Sequence, residues 1–272
     1  MLAACAVLSM AIVMPLTACG RHSTGINSTS QTTISPSSNM ITRTVNISNF
    51  DEIDASRVKV VFTPGRADRL ATITAPDNVM QYVEVTCSDG TLDCSLAENV
   101  QIQGGGSSCV TIAVTAPGVE EFNACLSAVI EIMGDLNVDE FSAEASTSGS
   151  ITARAITARE DVELDANTSG NVKVGQISAR KLSADASTSG SVRVSSADVQ
   201  RLNAEASTSG SIKVEGGSAD YVDCEASTSG SVNIAGVRGS RGKLEATTGG
   251  SIRANVPGAR TETSTGGSIR NN

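Results

Sequence analysis

The chain is poor in the side chains that usually build a thick globular interior. Only 2% of its 272 residues are aromatic and none is tryptophan, which excludes a conventional large core packed around bulky rings. It has one histidine, His22, so acid–base or metal chemistry built on paired histidines is excluded. Basic residues number 20 against 29 acidic ones. The resulting net charge of −9 argues against nucleic acid as the main partner. No Cys-x-x-Cys pair or cysteine–histidine cluster occurs, and neither a metal site nor any other cofactor is expected.

What the chain has instead is repetition. Ala-Ser-Thr-Ser-Gly-Ser-Ile runs from Ala145 to Ile151, and variants recur at Ala166–Val172, Ala186–Val192, Ala206–Ile212, Ala226–Val232, Ala246–Ile252 and Thr263–Ile269. Their central glycines, from Gly149 to Gly267, are spaced by 21, 20, 20, 20, 20 and 17 residues. A period near 20 sustained over this length is the mark of a solenoid. Within one unit, Leu182, Ala184 and Ala186 alternate with Ser183, Asp185 and Ser187, and Val192 and Val194 alternate with Ser191 and Arg193. Alternation at period two predicts half-buried strands. Gly190 falls where the chain must turn, at a position expected to need positive φ. No unit can bury its apolar face alone, so the units must stack. The fold class is therefore all-β: a parallel β-helix, or β-solenoid, with coils of about 20 residues rising about 4.8 Å each. The seven phrases make a rod section of roughly 30–35 Å.

Stacking places equivalent residues in columns. One inward column is Ile151, Val172, Val192, Ile212, Val232, Ile252 and Ile269, and Cys224 takes an inward alanine position as a buried free thiol. An outward acidic column holds Glu144, Asp165, Asp185, Glu205, Glu225, Glu245 and Glu262. Eight residues later in each unit comes a largely basic one: Thr152, Lys173, Arg193, Lys213, Asn233, Arg253 and Arg270. Like charges a strand spacing apart repel, so each stripe is expected to draw counter-charge from across the corner or from solvent. Asp165, Asp185, Glu205 and Glu225, with Lys173, Arg193 and Lys213, are the candidate surface-binding residues, for calcium or a polyanion. The plainer reading of both stripes is a salt-screened, solvated face. Thr147, Thr168, Thr188, Thr208, Thr228, Thr248 and Thr265 form a hydroxyl ladder at the corners. It either caps corner backbone groups or binds a repeating glycan by many weak equivalent sites.

Catalysis finds no foothold. Glycoside hydrolysis needs two carboxylates in distinct roles, whereas these recur identically in every coil. An active site should break a repeat, not follow it. No catalytic residue is assigned.

The ends divide the chain. Leu16-Thr-Ala-Cys19-Gly20 follows a mostly apolar run and resembles the lipobox of bacterial lipoproteins, in which the cysteine is acylated. Residues 1–19 are thus expected to be a lipoprotein signal peptide ending at Cys19, although no lysine or arginine precedes it. Residues 20–40, rich in Ser, Thr and Asn, read as a flexible tether. No acidic run of the kind associated with surface export follows Cys19, which keeps a periplasmic orientation open. Residues 41–120 carry β-branched runs at irregular spacing and are expected to be early coils of the same helix, with 121–272 the regular repeats. Val129-Ile130 follow Ala124 as Ser150-Ile151 follow Ala145. Cys87 and Cys94 flank an Asp89-Gly90 turn and are expected to form a disulfide. The sequence ends two residues after Arg270 with no evident polar cap, which suggests an end-to-end homodimer.

Arg43-Thr-Val-Asn-Ile-Ser-Asn-Phe-Asp-Glu-Ile-Asp-Ala-Ser56, followed by Val58-Lys-Val-Val-Phe-Thr-Pro-Gly65, resembles the opening of the "putative auto-transporter adhesin, head GIN domain" family. The likeness continues through the Ser-Gly-Ser coils and covers residues 41 to 270. It implies a right-handed β-helix at the cell envelope and brings no catalytic residues. The expected function is that of a lipid-anchored envelope protein of the outer membrane, on its periplasmic or surface face, with an adhesin-like, non-catalytic role. The expected partners are the membrane, a glycan or an envelope protein, and not nucleic acid. The alternatives are a periplasmic spacer or assembly scaffold, and a polysaccharide-binding or polysaccharide-cleaving β-helix.

Overall fold

The computed structural model describes residues 31–66, 69–104 and 106–272. The expected signal segment, Cys19, His22 and the first part of the tether lie outside the described residues. Period-two alternation becomes strand, broken by tight corners, and among the described residues the helical elements are short 3-10 turns at Met80–Tyr82 and Gly106–Cys109. Among the described residues, no helix is long and apolar enough to cross a membrane.

The strand Ser191–Ala206 shows how a coil closes. Its inward residues are Val192, Val194, Ala197, Val199, Leu202, Ala204 and Ala206. The step between inward residues is two along a wall and three at a bend, between Val194 and Ala197 and again between Val199 and Leu202. Two bends and the Ser-Thr-Ser-Gly corner divide each coil into three walls. Neighbouring coils pair parallel and in register, so the ladder expected from sequence is present: Ile151, Val172, Val192, Ile212, Val232, Ile252 and Ile269. It also extends backward through Ile130 and Val60 to Ile112. All but Ile269 are buried, and burial of each such side chain contributes about 1.5–3 kcal/mol. Cys224 sits buried between Ala204 and Leu244, as its column position requires.

The corner works differently from the sequence expectation. Thr188 and Ser189 adopt φ of 48° and 67°, and the pattern recurs at Thr147–Ser148, Thr168–Ser169, Thr208–Ser209 and Thr228–Ser229. The amide of Gly190 donates to the carbonyl of Ser187 at 2.7 Å. The corner is thus a type I′ turn with Thr and Ser at its two left-handed positions. Gly190 itself is not left-handed. A Cβ there would lie 1.9 Å from the Ala166 carbonyl oxygen of the previous coil. Glycine is required by close approach, not by φ.

The N-terminal half belongs to the same solenoid, but its coils are stacked out of chain order. Glu52–Ser56 pairs on one side with Thr91–Leu96 and on the other with Glu121–Cys125, all parallel. Lys59–Pro64 lies likewise between Thr111–Ala116 and Val129–Val138. The segment 52–64 is therefore the second layer and 91–116 the outermost. Antiparallel strands finish this end. Leu70–Pro76 pairs with Thr111–Ala116, Met40–Asn46 pairs with Leu70–Pro76, and Val83–Ser88 forms a hairpin with Thr91–Leu96. Three of the few aromatics gather here, with ring centroids of Phe62 and Phe122 5.3 Å apart and those of Phe122 and Phe141 5.6 Å apart.

Three expectations are corrected. The tether does not run to residue 40, because Thr32–Ile34 pairs with Val100–Ile102 and Ile34 is buried. Cys87 and Cys94 are free thiols. In the hairpin Cys87 faces Leu92 while Cys94 faces Val85, which leaves the two cysteines diagonal. Diagonal positions are about 7–8 Å apart, beyond the Cβ separation of about 4 Å that a disulfide needs. The last coil is also less apolar than expected. Its three missing residues come off the third wall, since the chain passes from Ala254 through a short turn to Gly258. Thr261, Thr263 and Asn271 then succeed Leu244, Ala246 and Ala254 in the inward columns. The Asn271 amide donates to the Val256 carbonyl at 2.7 Å, and its side-chain oxygen accepts from the Val256 amide at 2.8 Å. Three inward rows thus end in polar residues, while the isoleucine–valine ladder ends in Ile269.

Candidate ligand-binding wall

The acidic column is continuous across both halves of the rod. In register it reads Asp93, Asp54, Asn123, Glu144, Asp165, Asp185, Glu205, Glu225, Glu245 and Glu262. Partial burial pushes Asp165 up to about 7, and the neighbouring carboxylates of Asp185, Glu163 and Glu144 add to the effect. Burial likewise raises Asp185 to about 6, reinforced by Glu205 and Glu163. Asp54 also rises to about 6 by burial, against the relief given by Asn123. Asn123, the neutral member, donates its amide to Asp54 at 2.9 Å and to Glu52 at 3.0 Å. Toward the C-terminal end, counter-charge comes from two residues back on the same strand: Lys243 to Glu245 at 2.6 Å and Arg260 to Glu262 at 2.7 Å. The counter-ions expected from across the corner are in fact local. Among the described residues, no group of three or more metal-type ligands is arranged to hold an ion.

Lys173, Arg193 and Lys213 also fall in register, between Thr152 and Asn233. Lys213 is paired with Glu215 at 2.7 Å. Lys173 and Arg193 make no ion pair among the described residues. The structure thus brings each set of candidate residues into one column, as the spacing predicted.

The corner hydroxyls form a second regular surface. Thr147, Thr168, Thr188, Thr208, Thr228, Thr248 and Thr265 are exposed, as are the serines that follow the first five. Their side chains make no hydrogen bond to the backbone among the described residues, so the expected capping role is not what they do. The side chains of Asn167 and Ser187, in the half-buried row just before the turn, hydrogen-bond each other instead.

One feature breaks the repeat and was missed in the sequence. In Val129–Val138 the register slips between Ile132 and Asp135, so that Met133 and Gly134 together oppose Arg154. Gly134 has φ of 96°, and Met133 is 51% exposed. The signal was present: inward residues step by four here, from Ile132 to Leu136, where other coils step by three. Beside this β-bulge lies a hollow of about 300 Å³ lined by Glu131, Ile132, Met133, Thr152, Ala153, Arg154, Lys173 and Gly175. Bulges commonly re-aim side chains next to functional sites.

Comparison with known proteins adds the following. A family described as "putative auto-transporter adhesin, head GIN domain" matches residues 49–195 and again residues 155–271. A "putative adhesin" from Parabacteroides merdae is 17% identical and superposes with a TM-score of 0.75, covering 88% of this chain and 99% of that one. A "putative lipid binding protein" from Parabacteroides distasonis is 20% identical with a TM-score of 0.72, covering 89% of this chain and 100% of its own. A "putative adhesin" from Bacteroides fragilis is 18% identical with a TM-score of 0.63, over 88% and 100% respectively. At these identities the likeness is one of fold. No functionally curated protein matches the chain.

Proposed function

The chain belongs to the "putative auto-transporter adhesin, head GIN domain" family, and from that premise we propose that it is a non-catalytic cell-envelope protein acting by surface contact. In this reading lipid on Cys19 holds it to the outer membrane, and the solenoid wall meets a repetitive ligand such as a glycan. The supporting observation is the corner ladder. A β-branched residue in the left-handed region is unfavourable by about 1–2 kcal/mol, yet Thr147, Thr168, Thr188, Thr208, Thr228, Thr248 and Thr265 all adopt φ between 44° and 48°. Asparagine or glycine would turn this corner with less strain. The threonine hydroxyls thus stand on a rigid support, exposed and without a hydrogen bond among the described residues, at the spacing of the coils. Many weak equivalent contacts give avidity without any aromatic platform.

Two measurements test the reading. Protease digestion of intact cells, compared with lysed cells, reports which side of the envelope the rod occupies. Digestion on intact cells supports contact with external ligands, while protection until lysis favours a periplasmic spacer or scaffold. Replacing Cys19 with Ala should release the protein from the membrane fraction; retention there would overturn lipid anchoring.

A further inference from the structure

We propose that the hollow beside the Met133–Gly134 bulge is a subsite for an acidic sugar unit, whose carboxylate is held by Lys173 with Arg193 behind it in the next coil. The proposal deepens the reading of the wall as a ligand surface. It arises from a different observation, the β-bulge at Met133–Gly134, where the wall departs from its repeat and becomes concave.

Charge selects the class of ligand. The other ions around the hollow are already matched: Lys59 with Glu131 at 2.8 Å and Arg154 with Asp135 at 3.0 Å. Lys173 and Arg193 have no ion-pair partner among the described residues and feel only the more distant charge of Glu215, itself paired with Lys213, on a protein whose net charge is −9. An anion is repelled by most of this surface and attracted here. The hollow also offers what a simple anion does not need. Met133 is half exposed beside Ile132 and Ala153, a soft apolar contact suited to the C–H face of a sugar ring. The Thr152 hydroxyl lies in register between Glu131 and Lys173 and is available as a donor or acceptor. A volume of about 300 Å³ is at the small end for ligand sites, which fits one ring of a longer chain.

The hollow is built into the backbone. Gly134 supplies a left-handed residue at the bulge. A Cβ at Gly175 would lie 2.3 Å from the Arg154 carbonyl oxygen, so no side chain can project there without moving the neighbouring coil. Running on from Lys173, the column through Arg193 and Lys213 follows the rod axis. A chain of acidic sugars seated in the hollow would extend along that column.

The test is titration calorimetry of the full chain with trigalacturonate, and with maltotriose as the neutral probe. Trigalacturonate should bind saturably and roughly tenfold more tightly than maltotriose. Lys173→Gln should weaken trigalacturonate binding about tenfold, the loss expected for one charged contact. Met133→Ser should weaken it several-fold, while Arg253→Gln, in the same column but remote from the hollow, should leave it unchanged. Circular dichroism melts confirm that each variant is folded. The proposal is overturned by an equal loss in Arg253→Gln, by equal binding of maltotriose, by equal binding of a single-stranded oligonucleotide of matched charge, or by no saturable binding. If the subsite fails while intact-cell digestion still places the rod outside, the envelope-contact reading stands without it.

Discussion

The carbonyl oxygen of Ala166 occupies the space that a Cβ on Gly190 would need, at 1.9 Å. That carbonyl also accepts the amide of Ser187 at 3.0 Å, so it cannot move aside without breaking a coil-to-coil hydrogen bond. Gly190→Ala should therefore destabilise the rod by about 1–3 kcal/mol, as forced overpacking does. Thr188→Asn should act in the opposite direction, since asparagine tolerates the left-handed region better than a β-branched residue, with a gain of about 1 kcal/mol. Thermal melts of the two variants read both signs. A neutral Gly190→Ala would show that the coil spacing yields easily.

The acidic column reverses the usual pH dependence of a carboxylate. Asp165 is raised from 3.8 to about 7 and Asp185 from 3.8 to about 6 in the folded protein. Between these limits the folded state holds protons that the unfolded state has released, so stability falls as pH rises. The contribution is fully present below about pH 4 and lost as pH passes through 6 and 7. Asp77 and Glu215 are held low and oppose this, but both lie on the solvent-exposed surface. Denaturant melts should give greater stability at pH 5 than at pH 8. Asp165→Asn should raise stability at pH 8 and change little at pH 4. A wild-type optimum at pH 8 would contradict the burial of these carboxylates.

Along the regular coils, large side chains in one inward column are kept apart. In register the column reads Phe122, Ala143, Leu164, Ala184, Ala204, Cys224 and Leu244. From Ala143 to Leu244 no two bulky residues are adjacent in it, whereas toward the other end Phe122 stacks on Ile53 and Ile53 on Leu92. Ala184→Leu would place two leucines one coil apart and should cost about 1–3 kcal/mol. Adding Leu164→Ala to that variant should recover most of the loss, by moving the bulk one coil along. Additive losses in a double-mutant cycle would mean that the two positions do not share space.

Thiol labelling distinguishes the cysteines. Cys94 and Cys224 are buried, and burial pushes both thiols well above their ordinary range. Cys87 is half-buried on the outer strand of the hairpin. Alkylation of the native protein should mark Cys87 and spare Cys94 and Cys224 until denaturant is added. Peptide mapping without reduction should find no Cys87–Cys94 link, and its recovery would restore the disulfide expected from sequence.

The regular section was legible because one physical constraint acts on it many times. Each inward position must match the coils above and below, so Val192, Ile212 and Val232 announce their column without any structure. The charged columns were legible for the same reason. What sequence did not reveal lies where geometry is decided by partners far along the chain. The pairing of Glu52–Ser56 with two strands that come later in sequence leaves no local period. The glycine of the corner was recognised as necessary, but its reason was misassigned, because its clash partner sits in the previous coil. Cys87 and Cys94 have a hairpin spacing, but the register places them diagonally. The bulge was hidden because a single four-residue step among three-residue steps is a weak signal in one chain.

The interleaving of the first layers gives the rod two unlike ends. An ordinary solenoid frays by peeling its terminal coil from a free chain end. Here the outermost coil, 91–116, is joined through the chain on one side to the layer beneath it, 52–64, and on the other to the layer beyond that, 121–138. Loosening it releases a closed loop, which gains less entropy than a free tail. The strands Gly258–Thr263 and Ser268–Asn271 have no such interleaved connections among the described residues, and their inward positions Thr261, Thr263 and Asn271 bury little apolar surface. Unzipping of the rod therefore has a direction. Hydrogen exchange should reach the coils around Ile252 and Ile269 first and the Phe62–Phe122 layer last, so that a rod pulled or digested in service would be eroded from one end while the other holds.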